Sequence, residues 1–356
     1  MFLNSLDYFR AIAILLIVAG HALPYANISF ESVSARTIGN LFMGGTSLFV
    51  FISGFLFHHI FYKRYHFKKF MVGKLKKVLL PYTLLSLIPI SLTVANAETA
   101  YSYQAVANPA LAKIASQASF IDLYLLPALR YYTTGDIIAA YWYIPFVMVM
   151  FFISPLHIGF IELKLRHRVL ITLLLTVASV FMHRPVDNAL LLQSVVYFTP
   201  VYLIGILCSQ QKETIYTTFK NKEAYLLLVA VALATIQAIQ GDISNYRKPP
   251  FAYNGLDLLL LQKIALCFFF MVWLHRFETV TSKPLKLIAS TSFAIYFLHM
   301  WMLKALSRIV VRVEAVAVSP WILYALLVAM TVALSVGIAI ALKKLLQKKS
   351  RYLTGY

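Results

Sequence analysis

Residues 6–21 read LDYFRAIAILLIVAGH. The run is apolar without alternation, which suits a helix that satisfies its own backbone hydrogen bonds inside a bilayer. Two ionisable side chains interrupt it, Arg10 and His21, eleven positions apart. Eleven steps of about 100° return to within about 20° of the starting direction, so both side chains share one helical face, roughly 16 Å apart along the axis. Ionisable groups in a membrane helix are costly against lipid and normally face a cavity or a partner. The first helix is therefore expected to present a polar site. Asp7 stands at i−3 from Arg10, a spacing that allows an ion pair on the same helix.

Outward from this stretch, the same kind of run recurs along the chain. Of 356 residues 61% are hydrophobic and only 13% charged, with a mean hydropathy of +0.77. Ordinary soluble domains carry about 25% charged residues. The pattern predicts an all-α polytopic membrane helix bundle forming one domain over residues 1–356. Ten helices are expected, at about 6–26, 38–62, 78–96, 138–160, 169–183, 190–210, 224–241, 254–275, 287–306 and 320–342. The stretch 97–137 reads as an external loop and 343–356 as a basic cytoplasmic tail. No basic segment precedes the first apolar run, so the first span is expected to be retained rather than cleaved as a leader.

The net charge is +19, but the cations lie between the apolar runs, which argues against a nucleic-acid binder. Loops on one side of a ten-helix arrangement hold 21 of the 32 Lys and Arg residues, seven of them in 63–77, against nine on the other side. This bias places both termini in the cytoplasm. The two cysteines, Cys208 and Cys267, fall inside expected spans, so neither a disulfide framework nor a metal cluster is expected.

His21 is the first candidate for a general base, since an imidazole titrates near neutrality; a hydrogen-bonded packing histidine is the alternative. His299 and Tyr296 are three residues apart on one late helix face, open to a structural or a catalytic reading. Lys263 is a charge inside an apolar run with Asp257 six residues earlier, and both are expected to line a cavity. Ser53 precedes Gly54, a pair suited either to the site or to close helix packing. Trp142 suits packing or an interfacial aromatic belt.

Several stretches in order resemble the acyltransferase 3 family of integral membrane acyltransferases. LDYFRAIAILLIVAGH (6–21) is similar to its opening Arg-x10-His helix and LFVFISGFLF (48–57) to its second helix. YWYIPFVMVMFFISPL (141–156) resembles its aromatic helix, and STSFAIYFLHMWML (290–303) its late Ser…Tyr…His helix. Where the family commonly shows Arg-x-x-Arg, then Pro-Tyr, this chain has Lys74-Leu75-Lys76-Lys77, then Pro81-Tyr82. Lysine keeps the charge but lacks the bidentate fork of arginine.

The resemblance implies transfer of an acyl group, most often acetyl from cytoplasmic acetyl-CoA, to a hydroxyl of a cell-envelope or exported polysaccharide or its lipid-linked precursor. It implies His21 as base, Arg10, Lys74 and Lys77 as contacts for the donor phosphates, and no metal. Ser53, Tyr143 and Tyr296 are candidate oxyanion donors; Asp7, Lys263 and His299 are lower-ranked candidates. The expected location is the cell inner membrane, multi-pass, with the lipid bilayer and a sugar acceptor as partners, and polysaccharide synthesis or export machinery as a further one. The competing class is a secondary transporter or flippase of a sugar conjugate, which would also use intramembrane cations. The ordered motifs favour the enzyme.

Overall fold

The computed structural model describes residues 3–96, 119–186, 190–243, 247–252, 255–313 and 319–356. Among these every extended element is helical, and the one β feature is an isolated bridge between Arg184 and Arg247. Among the described residues eight helices are long and apolar enough to cross a membrane, or up to ten if each of two sharply bent helix pairs is one span.

Helix α1 (Asn4–Ala22) sits at the centre. It packs on α3 (Thr46–Leu56), α13 (Leu258–His275), α14 (Lys283–Val313) and α15 (Pro320–Leu346). Its N-terminus has no side-chain cap from its own sequence. The carboxylate of Glu278 supplies one from across the fold, accepting from the backbone N–H groups of Asn4 at 2.7 Å and Ser5 at 3.0 Å. A carboxylate there both pairs orphan amides and opposes the positive end of the helix dipole. The Tyr8 hydroxyl donates to Val280 and accepts from Ser282 N–H. These bonds fix the end of α1 that carries Arg10.

The second span is not one continuous helix over 38–62. It runs as α2 (Val33–Phe42), a break at residues 43–45, α3, and a π-helical turn at Phe57–Phe61. Gly44 at the break has φ +76°, a left-handed conformation open to glycine without strain. The amine of Lys263 donates to the carbonyl oxygens of Asn40 at 3.0 Å and Leu41 at 2.8 Å. A cation thus meets the negative end of α2, satisfying carbonyls the interrupted helix leaves unpaired.

The stretch 63–77, expected as a loop, is largely helical: α4 (Phe67–Lys74) continues through a π turn (Leu75–Leu79) into α5 (Leu80–Ala95). Lys74 and Lys77 therefore stand on a helix that enters the bundle. Of the expected loop 97–137, residues 97–118 lie outside the described part. The rest holds a π turn and a short helix α6 (Leu126–Thr134) ended by Gly135 in the left-handed region. Outside the spans, the hydroxyl and N–H of Ser119 hold the Asp122 carboxyl below its usual range.

The expected span 138–160 is α7 (Tyr143–Phe152) and α8 (Ser154–Glu162), bent by 54°. Then follow α9 (Leu165–Met182), α10 (Leu191–Gln210), α11 (Lys212–Phe219) and α12 (Glu223–Ile239), with an 89° bend between the last two. α3 and α10 meet backbone to backbone. A Cβ on Gly205 would collide with the Phe51 carbonyl and lie 2.9 Å from Phe55 N, and one on Gly54 would collide with the Tyr202 carbonyl. Gly54 is thus a packing residue, as small residues at membrane helix interfaces generally are.

Candidate active site

A chamber of about 680 Å³ runs alongside α1. Both Arg10 and His21 line it, as do Lys74, Lys77, Ser53 and Tyr143. The helical face read from the first stretch is thus the face that meets the chamber. The two ends differ in chemistry. Near the start of α1 the wall is cationic, and near its end it carries imidazole and phenol groups. Phenylalanines such as Phe49, Phe57 and Phe151 also line it.

At the cationic end Arg10 lies 3.7 Å from Asp7, three residues earlier on the helix, and donates to the Ser292 hydroxyl at 3.1 Å. Asp7 is a partner of Arg10 and does not line the chamber itself. The Lys74 ammonium sits over three rings, at 4.2 Å from the Phe151 centroid, 4.9 Å from Phe61 and 5.1 Å from Phe70. Cation–π attraction stabilises a charge there without an anion.

At the other end His21 meets His299. The rings stack with centroids 5.1 Å apart, and His21 Nδ1 lies 3.0 Å from His299 Nε2. The proton positions follow from what surrounds them. His299 Nδ1 faces two carbonyl oxygens, Ile295 at 3.0 Å and Tyr296 at 2.7 Å, so it carries the hydrogen. With both rings neutral, His299 Nε2 is then an acceptor, and His21 Nδ1 donates to it. The remaining nitrogen, His21 Nε2, is left without a proton. A half-buried imidazole held in one tautomer by a partner is an arrangement suited to a general base.

The other candidates divide clearly. Tyr296 lines the chamber, but its hydroxyl donates to the Ala140 carbonyl. Ser53 and Tyr143 line it on α3 and α7. Neither Lys263 nor Asp257 lines it; the charge of Lys263 serves the break between α2 and α3. Asp257 caps α13 through Leu260 N–H at 2.8 Å and accepts from the Tyr197 hydroxyl at 2.8 Å. Among the described residues no group of three or more His, Cys, Asp or Glu side chains is placed to hold a metal ion.

The structure adds Arg184, which the sequence presents as one charge in a short loop. It is 5% exposed, with its guanidinium 4.6 Å from the ring centroid of Trp142, itself part of the chamber wall. The sequence signal was weak: a His-Arg pair closing an apolar run on the sparsely charged side.

The fold and chamber define a multi-pass membrane protein with a polar site buried among its helices. The sequence model described as an acyltransferase domain, acyltransferase 3, matches residues 3–340, and the chain belongs to that family of membrane acyltransferases. Neither curated proteins nor solved structures give a match.

Proposed function

We propose that the protein is a membrane O-acyltransferase acting as one domain over residues 1–356. It moves acetyl from cytoplasmic acetyl-CoA to a hydroxyl of a cell-envelope or exported polysaccharide, or of its lipid-linked precursor. The observation that carries this reading is the two-ended chamber, cationic beside Arg10 and basic at the His21–His299 pair. The bias of Lys and Arg toward one set of loops, the side bearing Lys74 and Lys77, supports a cytoplasmic face for the cationic end and for both termini. In a bacterial cell the same bias suits the inner membrane.

The chemistry follows from the residues. The donor phosphates, made and kept in the cytoplasm, lie against Arg10 and Lys77, with Lys74 behind. The uncharged arm follows the apolar side chains of the chamber wall and brings the thioester toward His21. His21 Nε2 accepts the proton of the acceptor hydroxyl as its oxygen attacks the thioester carbonyl. The carbonyl π electrons move onto oxygen, where Ser53 and Tyr143 are the available donors; Tyr296, engaged by Ala140, positions its neighbours instead. Collapse breaks the carbon–sulfur bond, and the departing thiolate takes the proton from His21. The products are the acetyl ester and free coenzyme A. His299 orients the base without touching substrate.

The test is mass analysis of envelope glycans from cells with the wild-type protein, with the His21→Ala variant and with none. Wild-type glycans are expected to be heavier by one acetyl group per modified sugar, and the variant to match the strain lacking the protein. Equal masses throughout, with a changed amount of surface glycan, would transfer the chain to the transporter class.

A further inference from the structure

Two of the cations that line the chamber come from the last turn of α15, Lys343, and from the segment that follows it, Arg351. That helix ends at Leu346, and the chain reverses at Gln347, whose φ is 49°. A 3-10 turn (Gln347–Ser350) and a short helix α16 (Arg351–Thr354) follow, and Gly355 takes a left-handed φ of +76°. The segment is seated in the fold. Ser350 and Thr354 are each 1% exposed, and a Cβ on Gly355 would collide with the Phe293 ring of α14. It also packs on α5 and on the π turn that carries Lys77. Lys343, Arg351, Gly355 and Tyr356 all face the chamber, and Lys343 Nζ stands 3.9 Å from the centroid of the Tyr356 ring.

The side-chain charge at this end is one-sided. Arg10, Lys74, Lys77, Lys343 and Arg351 line the chamber, and among the described residues that line it none is Asp or Glu. Of the five, Arg10 is drawn to Asp7 and Lys74 is held among aromatic rings. Arg351 is exposed and presents the planar fork that binds phosphate through two parallel bonds. The segment also lies beyond residues 3–340, the part of the chain matched by the family.

We propose that the segment 343–356 is a wall of the donor site. Arg351 and Lys343 bind phosphate groups of the acyl donor, and Gly355 seats the segment so that they reach the chamber. Arg351 supplies the bidentate phosphate contact that lysines at 74 and 77 do not. This inference rests on the reading of the chain as a coenzyme A-dependent acyltransferase, and the experiment separates the two.

The full-length protein is purified in detergent and its acetyl-CoA affinity measured at several salt concentrations. Absence of binding by the wild-type chain overturns the donor assignment itself. Given wild-type binding, Arg351→Ala and Lys343→Ala are each expected to raise Kd about tenfold, the worth of one charge-assisted hydrogen bond, and to flatten its salt dependence. Arg351→Lys is expected to recover part of the loss. Gly355→Val retains every charge and is expected to weaken binding as much by unseating the segment. Both alanine variants change exposed side chains, so their thermal midpoints are expected to match the wild type. Wild-type Kd in both alanine variants overturns the proposal. So does tighter binding in Gly355→Val, which would make the segment a lid that competes with the donor. A phosphate-bearing lipid offers the same chemistry, so retention of phosphatidylglycerol is measured in parallel. Loss of lipid in Arg351→Ala with unchanged acetyl-CoA affinity also overturns it.

Discussion

Replacing His299 separates a positioning role from a packing one, and the structure fixes the size of the effect. His299 Nε2 lies 3.0 Å from His21 Nδ1. In His299→Ala the Nδ1 hydrogen of His21 loses its acceptor in a half-buried setting, which costs about 1–3 kcal/mol. The ring escapes that cost by moving its proton to Nε2. It then offers the acceptor hydroxyl a donor instead of a base. At 1.4 kcal/mol per tenfold, a swing of about 2 kcal/mol reduces the competent tautomer, and with it kcat, roughly 30-fold.

His21→Ala removes the proposed base altogether, and the expected loss is about 10²–10⁴ in kcat. His299→Gln keeps a carbonyl acceptor near the same place and is expected to retain activity within roughly threefold of wild type. The double variant His21→Ala/His299→Ala is expected to be no worse than His21→Ala alone, because His299 acts only through His21. The assay is steady-state acetyl transfer by purified protein, with KM for the donor expected to stay constant across the series. Equal losses in His299→Ala and His299→Gln, or multiplicative losses in the double variant, would refute the tautomer argument.

Two further substitutions test the frame around the site. Lys263→Met strips the donor from two carbonyls at the end of α2 and is expected to destabilise the protein by about 2–4 kcal/mol. Donor affinity of the folded fraction should be unchanged; a stable variant with weakened donor binding would instead return Lys263 to the site. Gly205→Ala drives a methyl group into the backbone of α3 and is expected to cost about 3 kcal/mol or more, read as loss of folded protein on thermal unfolding. Gly337→Ala, where a Cβ meets nothing within 4 Å, is the matched control and should be neutral or stabilising by up to about 1 kcal/mol.

What the sequence disclosed and what it hid follow from the reach of each signal. Periodicity reports which residues share a face on one element, and it put Arg10 and His21 on the face of α1 that meets the chamber. It is silent on which residue another element delivers. His299 lies 278 positions from His21, so the pairing of the two imidazoles is a tertiary fact. Lys263 was expected to line the cavity because a charge in an apolar run signals polar surroundings. Here those surroundings are the carbonyl end of a broken helix, and the clue was Gly44-Gly45 interrupting the second span.

Charge counting has the same limit in another form. The basic stretches 63–77 and 343–356 were read for the side of the membrane they occupy, and a positive-inside bias carries no information on secondary structure. Lysine is a good helix former, so the first stretch is largely helical and carries Lys74 and Lys77 into the bundle wall. The second is turned back by Gln347 and Gly355 and seated against Phe293. Both stretches therefore do more than orient the chain: together with Arg10 they place five cations around one end of a single chamber. Since α1 joins that end to the imidazole pair as one rigid helix, any shift of Arg10 along its axis moves His21 with it. The carboxylate of Glu278 anchors the first turn of that helix, so on the proposed reading it holds the donor contact and the base in one register.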